Sequence, residues 1–486
     1  MDVRRLPFFY GWLLVGLGAL SYAVGYGSRG TFSVFYVALL QEFGWTRAAL
    51  AGVYSLGMAI FALASPLAGI LVDRLGPRLV LPVGALLLAL GMALSGLASQ
   101  LWHLYLVFGL FASLGYCFTG LVPNSAVISN WFVRYRGTAL GLAFAGSGLG
   151  SLILVPLTQT LISAFTWRVA FFVLGGIIAV LLIPLNALFQ RHRPQELGLY
   201  PDGVAPDRLD HSPLPERPPV SQAPLGRPGA GPAGPALATG PAPGVTASPP
   251  AAPVGRAAEG ALDDPTVIDR EWAARTWTVL AAMKTSQFWI LVFIRAASAM
   301  AINLVLSHQV IHVVDKGYTK MLAASIFGLS GLVSIVGIVG LGYLSDRWGR
   351  ESTLTVSWVG SGLGPIFLLL VRDSSTPWLL YAYSLFFGLG LGSRGSLISA
   401  ISADLFQGRH FGHIYGYLTM ATGAGAAIGP WLGGYLYDRL GSYDLAFAGC
   451  AATLLACCGG IWVVGAHKIR RVGGAVRGRP AGGQIR

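Results

Sequence analysis

The sequence predicts an all-α integral membrane protein with twelve transmembrane helices in two pseudo-symmetric six-helix bundles. Of the 486 residues, 54% are hydrophobic and only 11% are charged, whereas soluble domains carry roughly 25% charged residues. The mean hydropathy is high, at +0.64, and long apolar stretches recur in two sets of six. Together these observations exclude a soluble multidomain enzyme and a disordered regulator.

Twelve stretches are long and apolar enough to cross a membrane as helices, which requires about 20 residues each. The first six are 9–38, 47–72, 79–99, 102–131, 138–164 and 168–190, and the second six are 286–312, 321–345, 353–371, 377–403, 411–436 and 443–466. Several contain glycine or proline, which transmembrane helices tolerate better than soluble helices do. We therefore predict an N-terminal bundle over residues 1–193 and a C-terminal bundle within residues 271–486.

The stretch between the two sets has a different composition. Residues 194–265 contain 17 of the 28 prolines, and such a composition cannot bury a core. We predict a disordered, Pro/Ala/Gly-rich cytoplasmic linker over residues 194–270. Residues 271–284 then return to helix-forming residues, which indicates either a lead-in helix along the membrane surface or simply the helical end of the linker.

The net charge of +13 is distributed as a topology signal and does not form a nucleic-acid-binding surface. With the N-terminus inside, 24 Lys and Arg residues fall on the inner side and 6 on the outer side. The positive-inside rule therefore predicts a multi-pass protein of the inner (plasma) membrane with both termini in the cytoplasm. The four cysteines all lie in apolar stretches and are predicted to be small core residues: Cys117, Cys450, Cys457 and Cys458.

The two sets of spans are repeats of one another. Residues 69–78 (GILVDRLGPR) end the second span, and residues 342–350 (GYLSDRWGR) end the eighth span, 273 residues later. The pair Ala170-Phe171 recurs as Ala446-Phe447. A duplicated six-helix unit predicts a transporter built from two bundles around a central cavity.

Residues 69–78 resemble the loop signature of the major facilitator superfamily. Further strings resemble its monocarboxylate-porter-like branch, which includes bacterial lactate permeases and oxalate–formate exchangers. They are FYGW at 9–12, VPNS at 122–125, NWF at 130–132 with Arg134 and Arg136, RHRPQELGLYPDG at 191–203 and GRHFG at 408–412. The resemblance covers nearly the whole chain outside residues 204–265. It implies the major facilitator fold and secondary-active transport of a small organic anion, with a monocarboxylate as the expected substrate.

The sequence departs from that branch in the eighth span. Its carboxylate carriers have an arginine about one turn before the second loop signature, whereas this chain reads VGIVG at 336–340. The resemblance therefore supplies no anion-binding residue at that place. In the eleventh span, residues 425–434 match an antiporter signature that in the family belongs to the fifth span. We interpret these small residues as a helix-packing surface.

Three arginines lie inside predicted spans: Arg29, Arg295 and Arg394. An arginine at mid-membrane costs at least ~2.5–3.5 kcal/mol, so each is expected to face a cavity and to have a partner. No Asp or Glu lies in the interior of a predicted span, which makes an anionic substrate the natural counter-charge. The alternatives are a structural hydrogen bond to carbonyls of a broken helix for Arg29 or Arg394, and snorkelling to the inner surface for Arg295.

Helical spacing extends this candidate site. Tyr26 shares a stripe with Arg29, Tyr383 shares one with Arg394, and Asn303 is near the repeat counterpart of Arg29. His308 is the candidate for a titrating group, and His312 one turn later has a metal-ligand spacing but no third ligand. The predicted substrate-binding residues are Arg29, Arg394, Tyr26, Tyr116, Asn124, Asn303, His308 and Tyr383.

The repeated loop supplies the candidate gating residues. In the superfamily this loop holds the two bundles together on the inner face in the outward-open state, through contacts that can exist in one state only. The resemblance therefore implies a gating role for Asp73, Arg74, Arg78, Asp346, Arg347 and Arg350.

Sequence and resemblance together predict a secondary-active transporter of a small organic anion that works by alternating access. We expect a monomer in the lipid bilayer, with no enzymatic activity, no cofactor and no nucleic-acid partner, and with a proton as the candidate coupling ion. Two alternatives stay open. An efflux carrier for drugs or other amphipathic compounds usually needs an intramembrane carboxylate, and a membrane enzyme or non-transporting sensor needs catalytic acids, a metal cluster or a soluble domain.

Overall fold

The computed structural model describes residues 9–132, 135–203, 268–406 and 411–469, except for a few side chains within helices. Arg134, residues 408–410 and most of the predicted linker, residues 204–267, lie outside the described residues. The predicted domain boundaries and the disorder of the linker therefore stay predictions.

Helices occupy all twelve predicted spans. The first half contains α1 (Tyr10–Gly30), α2 (Phe32–Phe43), α3 (Arg47–Leu75), α4 (Pro77–Ser95), α5 (Leu101–Leu104), α6 (Ser113–Thr119), α7 (Leu121–Trp131), α8 (Arg136–Ala164) and α9 (Trp167–Phe189). The second half contains α10 (Arg270–Ala274), α11 (Val279–Met283), α12 (Ser286–Asp315), α13 (Lys320–Trp348), α14 (Arg350–Leu370), α15 (Trp378–Leu405), α16 (Phe411–Leu440), α17 (Asp444–Val464) and α18 (Ala466–Ile469).

Two of the predicted spans are interrupted. The span predicted over residues 9–38 consists of α1 and α2, which meet at Thr31 and continue to Phe43. The fourth span runs through α5, a π-helical segment at Tyr105–Ala112, α6 and α7. Single π turns inside helices often accompany functional sites, and this one packs against α3 and α4.

Ten helical spans among the described residues are long and apolar enough to cross a membrane. The α1–α2 pair and α16 are the other two of the twelve. Six glycines in α1 and seven in α16 lower the mean hydropathy of these two spans. The part of the chain that the structure describes contains no β-strand, and the predicted all-α fold class is confirmed.

Helix packing repeats between the halves. In the first half α1 packs on α8 and α4 packs on α9, and in the second half α12 packs on α16 and α14 packs on α17. Two further pairs join the halves, α3 with α16 and α8 with α13. Because α3 corresponds to α13 and α8 to α16 in the repeat, a two-fold rotation exchanges these two pairs. This arrangement confirms two pseudo-symmetric six-helix bundles.

The repeated loop makes the same turn in both halves. Gly76 follows α3 with φ 77° and ψ 157°, and Gly349 follows α13 with φ 98° and ψ 153°. Positive φ is available to glycine at little cost because it has no Cβ. The glycine of the loop signature is therefore explained by backbone geometry.

The small residues of α16 face α12 at very short distances. A Cβ atom at Gly425 would lie 1.9 Å from the Ala296 carbonyl oxygen, and one at Gly429 would lie 2.2 Å from the Met300 carbonyl oxygen. Any larger residue would force the two helices apart. The packing interpretation of residues 425–434 is confirmed.

The four cysteines are buried and free. The Cys450 thiol lies 3.4 Å from the Ala301 carbonyl oxygen, and the Cys457 thiol lies 3.9 Å from the Ile294 carbonyl oxygen. Both therefore pack α17 against α12. The prediction that the cysteines are small core residues is confirmed.

The predicted lead-in segment forms two short helices, α10 and α11, where one helix was expected. Trp272 donates its indole N–H to the Leu405 carbonyl oxygen at 2.7 Å, and Trp277 is buried against Trp272 and Phe406. Two aromatic anchors therefore attach this segment to the end of α15.

Candidate substrate site

Arg29 occupies the last turn of α1, where the partial negative charge of the terminal carbonyl groups favours a cation. Its Nε donates to the Tyr54 hydroxyl at 3.1 Å, and its Nη2 donates to Asn303 Oδ1 at 3.4 Å and contacts the Met58 sulfur. Tyr54 and Met58 belong to α3, and Asn303 belongs to α12. These partners are side chains of other helices, so the alternative of a bond to carbonyls of the broken helix finds no support for Arg29.

Aromatic rings surround the same guanidinium. The ring centroids of Tyr26, Tyr54 and Phe61 lie 5.7, 5.5 and 5.7 Å from Arg29 Cζ, within the range of cation–π attraction. All of these partners are neutral, and the residues that the structure describes bring no carboxylate into contact with Arg29. Its positive charge is therefore available to an anion.

A small pocket, partly open at its mouth, adjoins Arg29 at the interface between the halves. Its walls come from α1, α2 and α3 of the first half and from α12 and α13 of the second. The lining residues are Tyr26, Arg29, Gly30, Phe32, Ser33, Tyr54, Leu306, Ser307 and Phe327. A ligand in this pocket would contact both halves at once.

Arg394 lies on α15 and reaches α12. Its Nη1 donates to the Ser298 carbonyl oxygen at 3.3 Å, and α12 is unbroken at that residue. Arg394 therefore has a structural hydrogen bond that joins α15 to α12.

Arg295 is anchored inside the second half. Its side chain is only 7% exposed and donates from Nε to the Leu418 carbonyl oxygen at 2.9 Å and to Thr422 Oγ1 at 3.0 Å. Its Cζ lies 5.0 Å from the Tyr415 ring centroid. Arg295 therefore binds α12 to α16, and it does not snorkel to the membrane surface.

Two predicted tyrosines point into the packed interior of their own half. The Tyr116 hydroxyl contacts the Met92 sulfur at 3.9 Å, and the Tyr383 hydroxyl donates to the side-chain oxygen of Gln309. Both tyrosines are buried, and neither lines the described pocket.

Asn124 is engaged at the break in the fourth span. Its amide donates to the Thr119 carbonyl oxygen at 2.7 Å and to the Gly120 carbonyl oxygen at 2.9 Å, where α6 ends and α7 begins. Its side chain thereby bridges the residues at which the two helices of this span meet.

His308 is fully buried, with both ring nitrogens engaged. Nε2 lies 2.7 Å from the Pro430 carbonyl oxygen, and Nδ1 lies 3.0 Å from the Tyr443 hydroxyl. A carbonyl oxygen can only accept, so Nε2 carries a proton, and in the neutral ring Nδ1 accepts from the tyrosine. His312, one turn later in α12, is also buried, at 2% exposure.

Sequence reasoning missed the contribution of α3. Tyr54, Met58 and Phe61 follow spacings of four and three residues, which puts them on one helix face. The same spacing pointed to Tyr26 beside Arg29, so the signal was present. Aromatic and methionine residues in an apolar span are usually core residues, so the sequence alone did not indicate that these three contact Arg29.

The two ends of the bundle differ in how the halves meet. At the end that carries the start of α3, here called the Arg47 end, Arg47 Nη1 lies 2.7 Å from Asp315 Oδ2. At the same end Lys320 Nζ lies 2.5 Å from Gln41 Oε1. Each of these contacts joins the first half to the second half.

The predicted gating loops lie at the opposite end, here called the Arg78 end. Arg78 Nε donates to the Ala187 carbonyl oxygen at 2.9 Å, and Arg350 pairs with Asp404. Each of these contacts stays within one half. Asp73, Arg74 and Arg347 are exposed at helix ends, and the Asp346 side chain lies outside the described residues.

The chain matches the profile of the Major Facilitator Superfamily over residues 18–393 and again over residues 288–482. The first match alone covers well over half of the chain. The chain belongs to the Major Facilitator Superfamily. Members of this superfamily are non-enzymatic carriers with many apolar helices, so this protein is a multi-pass membrane transporter.

Relatives of this superfamily member include animal monocarboxylate transporters. It is 27% identical to monocarboxylate transporter 13 of Bos taurus over 451 residues, which cover 92% of this chain and 87% of that protein. It is 24% identical to monocarboxylate transporter 2 of Homo sapiens over 465 residues, covering 94% and 85%. These similarities confirm the resemblance to the monocarboxylate-porter-like branch.

Solved structures of other transporters share the fold. The nucleoside transporter NupG (D323A mutant) superposes with a TM-score of 0.62 at 12% identity, covering 93% of this chain and all of that chain. A bacterial homolog of the human lysosomal transporter Spinster, solved in an inward-facing and unoccupied conformation, gives a TM-score of 0.58 at 14% identity, covering 94% and 96%. At these identities the likeness concerns the fold alone.

Proposed function

We propose that this major facilitator transporter carries a small organic anion, with a monocarboxylate as the first candidate, by alternating access. The observation that carries the proposal is the Arg29 guanidinium, which lies at the interface between the halves among neutral partners. Relatives named monocarboxylate transporters, at 24–27% identity over nearly the whole chain, support the same class of substrate.

A carboxylate in the pocket would accept charge-assisted hydrogen bonds from Arg29, which are about twice as strong as neutral ones. The Tyr54 hydroxyl, which accepts from Arg29, can donate its own proton to the same anion, whereas the Ser33 and Ser307 hydroxyls on the surrounding walls donate to backbone carbonyl oxygens. Because Arg29 belongs to α1 and Asn303 to α12, an anion bound here would interact with both halves. Its binding would thereby bias the rocking of one half against the other.

We further propose an orientation with the Arg47 end facing the outside and both termini in the cytoplasm of the inner membrane, from the excess of Lys and Arg predicted for the inner side. The described polar contacts between the halves at Arg47 and Lys320 lie at the Arg47 end, whereas those of Arg78 and Arg350 at the other end stay within one half. In this orientation the described arrangement is inward-facing, with the gating loops apart.

The second transporter class, an efflux carrier for amphipathic cations, is less compatible with the pocket. Arg29 is the one charged residue among those that line it, and a cationic drug would be repelled there. The assignment of substrate charge therefore depends on this single side chain.

Purified transporter mixed with a panel of C2–C6 organic acids and their neutral amides tests the proposal. A ligand that binds the folded state alone raises the melting temperature with its concentration. We expect at least one carboxylate, and not its amide, to stabilise the protein and to be taken up by proteoliposomes. Stabilisation by cations or neutral amides alone would refute the anion assignment.

A further inference from the structure

The start of α3 is capped by a carboxylate from the other half. Asp438 of α16 accepts hydrogen bonds from the backbone N–H groups of Arg47 at 2.9 Å and Ala48 at 2.8 Å. The next two N–H groups of α3 are bonded to the side chain and the carbonyl oxygen of Thr46. The N–H groups of Arg47, Ala48 and Ala49, which have no acceptor within the helix, are thus satisfied, two of them across the interface.

The Arg47 side chain adds a second link to the same half. Its Nη1 lies 2.7 Å from Asp315 Oδ2 and donates to the Tyr443 hydroxyl at 3.0 Å, and its Cζ lies 3.5 Å from the Tyr437 ring centroid. Its side chain is only 15% exposed, so solvent weakens these interactions less than those of an ordinary surface pair.

Close approach of the two helices at this end depends on Gly434. This glycine precedes Asp438 by one turn of α16, and a Cβ atom there would lie 2.7 Å from both the amide nitrogen and the Cα of Ala48. A larger residue would push α16 off the start of α3. The capping contact therefore requires a glycine at this position.

This cluster continues to the pocket. Tyr443, which accepts from Arg47, lies 3.0 Å from Nδ1 of His308, and the neighbouring residue Ser307 lines the pocket. Tyr36 packs edge-on against His308, with ring centroids 5.4 Å apart, and donates to the Arg47 carbonyl oxygen at 2.8 Å. Side chains of both halves thus fill the path between the pocket and the Arg47 end.

We propose that Arg47, Asp315 and Asp438 form a latch that closes the pocket toward the Arg47 end, and that both carboxylates must release α3 before the pocket opens to that side. Each of these contacts joins one half to the other, so none can persist once the halves separate there. The proposal gives a gating role to residues outside the repeated loop. It rests on the proposed function in one respect, that the pocket is part of the transport pathway.

Thiol labelling of the pocket in the full-length transporter tests the latch. Ser307→Cys places a small thiol in the pocket wall, and the native cysteines are buried, so the parent protein gives the background. A membrane-impermeant maleimide is applied from the Arg47 side of sealed vesicles. We expect Asp438→Asn, added to Ser307→Cys, to label roughly tenfold faster than Ser307→Cys alone, the effect of losing one hydrogen bond to a charged group.

Asp315→Asn is the second variant, because it leaves the capped start of α3 in place. It removes the ion pair with Arg47 and should therefore also label faster. The control is Glu42→Gln, which removes the 2.7 Å pair with Arg168 at the same end but within the first half. This pair is more exposed, and its loss should leave labelling unchanged.

The proposal would be overturned if neither latch variant labelled faster than Ser307→Cys alone. It would also be overturned if the Glu42→Gln control were accelerated as much as the two latch variants. Faster labelling of the latch variants, together with no uptake of any organic anion by the transporter that keeps Ser307, would support the latch and refute the proposed function. Uptake without faster labelling would do the reverse.

Discussion

Arg29 and Asn303 hydrogen-bond to each other across the interface, although 274 residues separate them in the sequence. The repeat offset is 273 residues, so the two residues occupy almost equivalent positions in the two halves. Residues related by a two-fold axis can touch only if both lie close to that axis. Arg29 is therefore near the pseudo-two-fold axis, where transporters built from repeats bind their substrates.

Arg29→Gln should preserve the fold and strongly reduce transport. The substitution removes a buried charge that is costly in the membrane, so expression and melting temperature should be at least as high as in the parent. Anion uptake should fall by about 10- to 100-fold, the effect of losing a charged hydrogen bond of about 1.5–3 kcal/mol. Arg29→Lys should restore only part of it, because lysine lacks the planar fork of donors. Near-normal uptake by well-folded Arg29→Gln would contradict the anion site.

Arg295 and Arg394 offer a matched comparison within the second half. Arg295→Gln should lower the free energy of unfolding by about 1–3 kcal/mol, since it removes the bonds to α16, while uptake per folded molecule is kept. Arg394→Gln should show the opposite pattern, with a smaller loss of stability and a larger loss of uptake. Thermal denaturation and uptake normalised to folded protein measure both quantities. If both variants behave like Arg295→Gln, Arg394 is structural.

Asn303→Asp should abolish anion uptake by placing a competing carboxylate inside the protein. The new carboxylate would lie beside the Arg29 guanidinium, pair with it and compete with a substrate anion for the same charge. We expect uptake to be lost while the melting temperature is unchanged or raised. Asn303→Ala is the comparison variant: it removes the hydrogen bond without adding charge and should lower uptake much less than the aspartate does. Normal transport by the aspartate variant would show that Arg29 does not bind the anion.

His308→Gln should separate proton coupling from substrate binding. Glutamine can still donate to the Pro430 carbonyl oxygen and accept from the Tyr443 hydroxyl, so the hydrogen-bond pattern survives. If His308 carries the coupled proton, uptake by the variant should lose its dependence on external pH while ligand-induced stabilisation persists. A pH profile identical to that of the parent would remove His308 from the mechanism.

Apolar runs and the repeated loop were sufficient to predict the fold, because crossing a membrane leaves few alternatives to helices. Arg29, Tyr26 and Asn303 were also predictable, since a polar residue in an apolar span needs a cavity or a partner. The same rule also placed Asn124 and Tyr383 in the binding site. In the structure, Asn124 bonds to carbonyl groups at a helix break and Tyr383 bonds to Gln309, each within its own half. Sequence spacing alone cannot distinguish these outcomes.

The latch could not be predicted from the sequence. Asp438 and the start of α3 are 391 residues apart, and both lie at span ends, where charged residues are ordinary. What makes them partners is the pairing of α3 with α16, a tertiary relation that no local pattern records. The break between α1 and α2 at Thr31 was missed for a similar reason, since the apolar run continues through it.

The neutral surroundings of Arg29 have an electrical consequence. At the Arg29 site an empty carrier would hold an uncompensated positive charge near the middle of the membrane, whereas a carrier loaded with a monovalent anion would be neutral at that site. When a single charge crosses the whole membrane, a voltage of 100 mV changes its energy by about 2.3 kcal/mol. We expect membrane voltage to bias the return of the empty carrier and to leave the loaded step nearly unaffected, so that exchange of one anion for another would be insensitive to voltage.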